Sequence, residues 1–224
     1  MQKYTADFAL IAGGSEVDLF SLQHWSEHTD ADIFAADGGI VPVLNAGLTC
    51  RAVIGDMDSI PADIAQMHAE HTSFHAVSEQ DTTDLEKLLQ RLDCRKILGF
   101  GFMDGQFDHA LSVLSILARY ADTAHIVMVG ARDCMLVTRK SVTLTTQPDC
   151  RFSLWPIGEM SGISSSGLKW PLDTLHLHPQ GLVSTSNRTS AAEQTIHVPA
   201  DNQTAYAIIM DRMWAAQMLD AERF

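Results

Sequence analysis

The chain has 224 residues, enough for one large domain or two small ones. Apolar residues make up 46% of the sequence and charged residues 19%, which is the composition of a folded chain with a sizeable core. The formal net charge of −13 argues against a general nucleic-acid or anionic-membrane surface, since either needs a basic patch. A phosphate substrate stays possible, because bound divalent cations reverse the local sign of the charge.

Strands and helices alternate through the first half of the chain. Apolar runs and their periodicity predict, in order, strand 8–12, helix 16–27, strand 31–36, strand 51–54, helix 62–70, strand 73–77, helix 82–92, strand 96–100, helix 110–120 and strand 125–129. This alternation is typical of crossover units in a mostly parallel sheet. Segments rich in Gly and Asp follow several of the strands, at the edge where open α/β sheets bind ligands.

The second half has a different pattern, with short β-like runs and many turn residues. The runs lie at 135–137, 142–144, 152–154, 194–198 and 205–210, and a helix is expected only within the last dozen residues. We therefore predict an α/β domain over residues 1–137. A smaller all-β domain, a sandwich or a barrel, is predicted over residues 138–224.

The cysteines and the first apolar run bear on the compartment. The four cysteines form no C-x-x-C pair, which argues against a zinc ribbon or a redox motif; they are Cys50, Cys94, Cys134 and Cys150. The run Phe8–Ala12 is too short for a signal-peptide core or a membrane span. We therefore expect a cytoplasmic protein with reduced thiols and no membrane partner.

Asp56 and Asp58 follow the third strand directly. In extended backbone, residues two apart point the same way, so both carboxylates can face one point. Unpaired, they would repel each other, whereas a Mg²⁺ ion between them removes the repulsion and finds the oxygen ligands it prefers. An acidic surface turn explains this pair about equally well on its own.

Three further strand ends carry Asp residues. Asp81 and Asp84 bracket the start of a predicted helix, where Asp is also ordinary N-terminal stabilisation, and Asp37 lies in a glycine turn. The third is the segment 101–109, which ends in Asp108 and His109. Each of these alone is more simply a cap or a turn, but together they fall on one edge of the predicted sheet. No P-loop lysine motif is present, so the cluster suggests phosphates held through Mg²⁺.

The β half contains one aromatic and one polar candidate segment. Trp170 could stack on a planar ring, and Ser184 and Asn187 could read the edge of a heterocycle. A core tryptophan and a polar turn explain the same residues, and chemistry alone favours that interpretation.

Taken in order, these segments resemble the thiamine pyrophosphokinase family over roughly residues 10–190. The matching segments are Ala36–Gly39, Gly55–Ser59, Asp81–Lys87, Asp108–His109, Gly167–Trp170 and Ser184–Asn187. The second and third of these are the most diagnostic. The resemblance implies an α/β catalytic domain, a β-sandwich that binds vitamin B1, and a homodimer with its active site shared between subunits. It implies Mg²⁺-dependent transfer of diphosphate from ATP to the hydroxyl of thiamine, with AMP as the second product and no nucleic-acid partner.

The resemblance also assigns residues. Metal binding and catalysis fall to Asp56, Asp58, Asp81 and Asp84. Substrate binding falls to Asp37, Gln80, Asp108, His109, Trp170, Ser184 and Asn187. We expect direct in-line attack of the thiamine hydroxyl on the β-phosphorus of ATP, with no covalent enzyme intermediate and with Asp81 or Asp84 as candidate proton acceptor.

One position departs from the family pattern. Gln106 stands where the family usually has an arginine, and Asp104 adds a carboxylate nearby. Lys87, Arg132 and Lys169 are the candidates for the missing cation. Two alternatives stay open at this point: a related pyrophosphokinase for another hydroxymethyl heterocycle such as a pterin, and a thiamine-binding sensor without catalysis.

Overall fold

A computed structural model gives the structure of the chain and describes residues 2–14 and 16–224. The chain divides into two compact units. The first comprises residues 1–116 with 128–131, and the second comprises 117–127 with 132–224. The order of strands and helices is β1 (Tyr4–Ala12), α1 (Leu19–Glu27), β2 (Asp32–Ala36), α2 (Ile40–Asn45), β3 (Ala52–Gly55), α3 (Ala62–His68), β4 (Ser73–Ala76), α4 (Asp84–Leu89), β5 (Leu92–Phe100), α5 (Phe107–Tyr120), β6 (His125–Val129), β7 (Asp133–Thr138), β8 (Val142–Thr145), β9 (Arg151–Pro156), β10 (Ser164–Ser166), β11 (Ser184–Arg188), β12 (Glu193–His197), β13 (Tyr206–Asp211), α6 (Ala215–Leu219) and β14 (Glu222–Arg223).

The first unit is built on a parallel sheet. Its strands lie in the order β5-β1-β2-β3-β4, and every neighbouring pair among them is parallel. The carboxyl halves of β1 and β5 are buried throughout, because helices cover a parallel sheet and leave no strand face for polar residues. Large side chains of this core are fully buried, among them Leu10, Ile11, Phe34, Ile54 and Leu98. The carboxyl ends of five adjacent strands therefore share one edge.

The second unit contains two antiparallel sheets. One is the antiparallel part of a larger sheet, with its strands in the order β11-β9-β13-β7, and the other is a four-stranded sheet with the order β10-β12-β8-β14. The central strand β13 is almost wholly buried, including the ring of Tyr206, whose hydroxyl donates to the carbonyl of Lys140 at 2.7 Å. The predicted fold class, a mostly parallel α/β sheet followed by an all-β region, is confirmed.

Several boundaries differ from the sequence prediction. The helix predicted over 82–92 is wrong at both ends: it covers Asp84–Leu89, and Leu92 already begins β5. The leucine spacing suggested a longer helix, but Leu92 pairs with Tyr4 of the neighbouring strand. The short helix Ile40–Asn45 and the strands Ser164–Ser166 and Ser184–Arg188 were not predicted, since the helix contains a proline and the two strands consist largely of serine and asparagine, which favour turns. Within 2–14 and 16–224, no helix is long and apolar enough to cross a membrane.

Candidate active site

A cavity of about 890 Å³ opens at the carboxyl edge of the parallel sheet. Its walls come from the segments that follow β1, β2, β3, β4 and β5 and from the start of α5. The charged residues of the lining are Asp37, Asp56, Asp81, Asp84, Asp104 and Lys87. Five aspartates and one lysine thus face a common space, and His109 adds an imidazole to the wall. An anionic ligand could enter such a cavity only together with cations.

Asp37 binds the backbone of the loop after β3, which carries Asp56 and Asp58. One of its carboxylate oxygens accepts the backbone N–H of Met57 at 2.8 Å, and the other accepts the N–H of Ser59 at 3.2 Å. The side chain is buried, and the Asp37 backbone has a positive φ of 44°, as has Met57 with 70°. The carboxylate therefore fixes the turn in which Asp56 and Asp58 lie, which is a positioning role that sequence analysis did not assign to it.

The turn brings three carboxylates together. Oxygen atoms of Asp37, Asp56 and Asp58 lie within 4.8 Å of one another. Asp56 accepts a hydrogen bond from the side-chain amide of Gln80 at 3.1 Å. That hydrogen bond, followed by the backbone N–H of Asp58, lowers the pKa of Asp56 below its usual value. Asp56 is thus held as a carboxylate although two other acids are close.

We expect Asp37→Asn to loosen this turn. An asparagine presents one oxygen and one amide nitrogen, so either the N–H of Met57 or that of Ser59 loses its acceptor. One lost hydrogen bond at a buried group predicts a decrease of about 1 kcal/mol in the free energy of unfolding. Urea denaturation measures this, with Asp93→Asn, an exposed residue of β5, as the matched control. A variant as stable as the control would remove the positioning role.

The segment before α4 forms a second acidic turn. Glu79 accepts the backbone N–H groups of Asp81 and Thr82 at 2.7 and 3.1 Å and also binds the Thr82 hydroxyl. The helix α4 is capped by Thr83, because the Thr83 hydroxyl accepts the N–H of Glu86 at 3.5 Å. Glu79 was missed by sequence analysis, since its contacts are with the backbone of the turn that follows it, and the sequence does not show those contacts. The carboxylates of Asp81 and Asp84 line the cavity but do not belong to the group of three.

Lys87 is the only lysine or arginine among the lining residues that the structure describes. Its side chain is only 3% exposed, and its ammonium lies 3.0 Å from Asp84 and 4.0 Å from Asp56. Burial alone would lower the pKa of Lys87, but the hydrogen bond and the charge of Asp84, with the charge of Asp56, raise it overall. Burial raises the pKa of Asp84, and Lys87 offsets only part of that effect. Of the three candidate cations, Lys87 is the one that lies in this cavity.

The segment between β5 and α5 is only partly in the cavity. Asp104 accepts the backbone N–H of Ala131 at 2.9 Å, so its carboxylate ties two loops of the first unit together. Gln106 and His109 line the cavity. Asp108 does not: it is exposed, and its carboxylate accepts the N–H of the next residue, His109, at 2.9 Å. Its binding of substrate stays a prediction.

The second unit holds the three residues predicted around a heterocycle. Trp170 is 53% exposed, so it is not the core tryptophan that chemistry alone favoured. Asn187 is buried, and its side chain accepts the backbone N–H of Trp170 at 3.2 Å and donates to the carbonyl of Trp170 at 2.7 Å. Ser184 is half-buried at the start of β11, opposite Leu154. Asn187 therefore supports the tryptophan, and ligand contacts of all three stay predictions.

Two sequence models of one family match the chain in order. "Thiamin pyrophosphokinase, catalytic domain" matches residues 23–129, and "Thiamin pyrophosphokinase, vitamin B1 binding domain" matches residues 141–204. The chain belongs to the thiamine pyrophosphokinase family. The acidic cavity lies in the part matched by the family's catalytic domain, and Trp170 lies in the part matched by its vitamin B1 binding domain.

Relatives and solved structures of the family agree with this. Thiamine pyrophosphokinase 2 of Arabidopsis thaliana is 32% identical over 175 residues, 69% of this chain and 63% of that protein. Thiamin pyrophosphokinase 1 of Caenorhabditis elegans is 28% identical over 159 residues, 63% of each chain. The chain thus spans less than two thirds of these curated relatives. The thiamin pyrophosphokinase of Geobacillus thermodenitrificans shares the fold with a TM-score of 0.76 at 22% identity, over 91% of this chain and 97% of that one. The yeast thiamin pyrophosphokinase shares the fold with a TM-score of 0.75 at 14% identity, over 98% of this chain and 93% of that one.

The donor set at the acidic turn fits a hard divalent cation. It consists of carboxylate oxygens alone, from Asp37, Asp56 and Asp58, with no thiolate or imidazole in the group. Asp37 has both oxygens engaged by N–H groups but keeps lone pairs, whereas Asp58 is exposed. Where the family usually has an arginine, this chain offers the neutral Gln106, so within the described lining a ligand's negative charge meets only Lys87.

Proposed function

We propose that this protein is a Mg²⁺-dependent thiamine pyrophosphokinase, which transfers diphosphate from ATP to the hydroxyl of thiamine and releases AMP. The observation that carries the proposal is the acidic cavity in the catalytic-domain match, with five aspartates and one lysine in its lining, followed along the chain by a vitamin B1 binding domain match. The second match favours thiamine over a pterin as acceptor. The complete set of acidic groups favours catalysis over a sensor, since a binding protein has no need of it.

The reaction needs no nucleophilic side chain. The oxygen of the thiamine hydroxyl forms a bond to the β-phosphorus of ATP, and the bond between that phosphorus and the oxygen of the α-phosphate breaks, so AMP leaves. A bound divalent cation would neutralise phosphate charge, and Asp37, Asp56 and Asp58 are the residues proposed to hold it. The chain's other contribution is to fix these groups before the substrates bind.

Asp84 is the proposed acceptor of the hydroxyl proton. Burial raises its pKa above the usual value, which makes its carboxylate a stronger base than that of Asp56, whose pKa is lowered. Its hydrogen bond with Lys87 holds the side chain in place at 3.0 Å. Asp81 lines the same cavity and is the alternative acceptor.

Cellular context belongs to the same proposal. All four cysteines are buried free thiols, which suits the reducing cytoplasm. A homodimer with a shared active site follows from the family resemblance, and analytical ultracentrifugation of the purified chain tests whether it dimerises.

The first experiment is to incubate the purified protein with ATP, Mg²⁺ and thiamine and to identify both products. We expect AMP and thiamine diphosphate in equal amounts, and no turnover when Mg²⁺ is chelated by EDTA. ADP with thiamine monophosphate would refute diphosphate transfer. Turnover of a hydroxymethylpterin in preference to thiamine would establish the alternative acceptor, and thiamine binding without any product would establish the sensor.

A further inference from the structure

The exposed tryptophan of the second unit already carries a cation on its ring. The ammonium of Lys169 lies 5.0 Å from the centre of the Trp170 ring. This distance is within the range of a cation–π interaction, in which a positive charge is attracted to the face of an aromatic ring. The indole is 53% exposed, so the ring is accessible to a ligand once the lysine side chain moves.

Hydrogen bonds hold the backbone that carries Trp170, whereas the side chain of Lys169 is exposed. Asn187 is 4% exposed and binds both the N–H and the carbonyl of Trp170, and it also accepts the N–H of Arg188 at 2.8 Å. The backbone of Lys169 is fixed as well, since its N–H donates to the carbonyl of Arg188 at 2.8 Å. The Lys169 side chain, by contrast, is exposed and has four rotatable bonds.

A planar cationic ligand would use the same feature of Trp170 as the lysine does. Thiamine contains a thiazolium ring with a fixed positive charge, and a positive charge is what the face of an indole attracts best. Two cations cannot occupy one ring face at this distance, because they repel each other and exclude each other sterically. A cationic ligand that stacks on this face therefore displaces the ammonium of Lys169 into solvent.

We infer that Lys169 is a specificity-determining residue, which occupies the face of Trp170 as an internal cation and competes with the cationic ring of thiamine. This inference rests on the proposed function, since that function supplies the ligand. It assigns Lys169 to ligand selection in the second unit and not to the phosphates. A neutral ligand, which gains less from the ring face and is not repelled by the ammonium, experiences less of this competition.

The test is a binding titration without nucleotide, by isothermal calorimetry, with thiamine and with thiochrome, its neutral planar oxidation product. Lys169→Met should bind thiamine about two- to fivefold more tightly than wild type, which corresponds to the roughly 0.5–1 kcal/mol of an exposed cation–π interaction. Lys169→Arg, which keeps a cation over the ring, should bind no more tightly than wild type. Lys140→Met makes the same chemical change at another exposed lysine of this unit and is the matched control.

A double-variant cycle connects the effect to the ring. In the background of Trp170→Leu, the additional change Lys169→Met should leave thiamine affinity unaltered, because the contested face is gone. The inference is overturned if Lys169→Met binds thiamine as wild type does or more weakly. It is also overturned if this substitution increases the affinity for thiochrome as much as the affinity for thiamine. It is also overturned if neither wild type nor variant binds thiamine.

The product assay separates this inference from the proposed function. Normal formation of thiamine diphosphate with an unchanged Lys169→Met affinity leaves the function standing and refutes the competition. Tighter thiamine binding by Lys169→Met in a protein without turnover supports the competition and refutes the proposed function.

Discussion

Asp56→Asn should abolish diphosphate transfer while leaving the fold intact. The variant loses one of the three clustered carboxylates and with it a unit of negative charge at the proposed cation site. Because stabilisation of phosphate charge by a bound cation contributes several kcal/mol to such reactions, we expect the rate to fall at least about 100-fold. The Asp56 side chain is 20% exposed, and asparagine has nearly the same shape, so thermal unfolding should change little. The measurement is the initial rate of AMP formation at saturating ATP, thiamine and Mg²⁺.

Two further measurements decide what such a loss means. Asp93→Asn, at the amino-terminal end of β5, removes the same charge far along the strand from the cavity and should retain the wild-type rate. Calorimetric titration with Mn²⁺ should show weaker binding in Asp56→Asn than in this control, which a purely structural effect would not produce. A rate close to wild type for Asp56→Asn would remove this residue from the cation site.

The fold was readable from the sequence because its strands are local and apolar. The strands β3 and β6 and the carboxyl half of β1 are uninterrupted buried runs, and a parallel sheet gives this pattern without alternation. The errors arose where tertiary pairing overrides local preference. Leu92 continues the leucine spacing of a helix, yet its position beside Tyr4 places it in a strand. β11 consists of Ser, Thr, Asn and Arg and is a strand only because β9 pairs with it.

The location of the candidate site was predictable, but the tasks within it were not. Aspartates that follow parallel strands must meet at one edge, so the neighbourhood of Asp37, Asp56 and Asp84 follows from topology. The two N–H groups that the Asp37 carboxylate accepts belong to Met57 and Ser59, which lie in a turn distant from Asp37 in the sequence. Only the folded structure shows this contact. Likewise, the sequence named Lys87 as one of three cations, and only the packing of α4 places it between two carboxylates.

Lys87→Met should destabilise the first unit and reduce activity as well. The substitution preserves much of the side-chain volume but leaves Asp84, 35% exposed, and Asp56 without their shared ammonium. Removing one partner of a buried ion pair costs about 3–5 kcal/mol, and the partial exposure of Asp84 reduces the expected loss to about 2–3 kcal/mol. Urea denaturation measures it. The double variant Asp84→Asn, Lys87→Met should recover a large part of the loss, because no uncompensated charge then remains at position 84.

The pH dependence of this loss distinguishes a charge effect from a packing effect. Burial raises the pKa of Asp84, and without Lys87 the opposing contributions disappear, so its pKa rises further. An acid whose pKa is raised by folding stabilises the protein fully below its unfolded pKa and loses that contribution as the pH rises through the folded value. The difference in unfolding free energy between wild type and Lys87→Met should therefore be largest near neutral pH and shrink as the pH falls through the raised pKa of Asp84, where this carboxylate becomes protonated. Wild-type Lys87 stays charged over this whole range, since its pKa is raised above an already high value. If the difference in unfolding free energy does not vary with pH, the methionine merely packs poorly. This result would refute the proposed role of Lys87 in balancing the negative charges of the cavity.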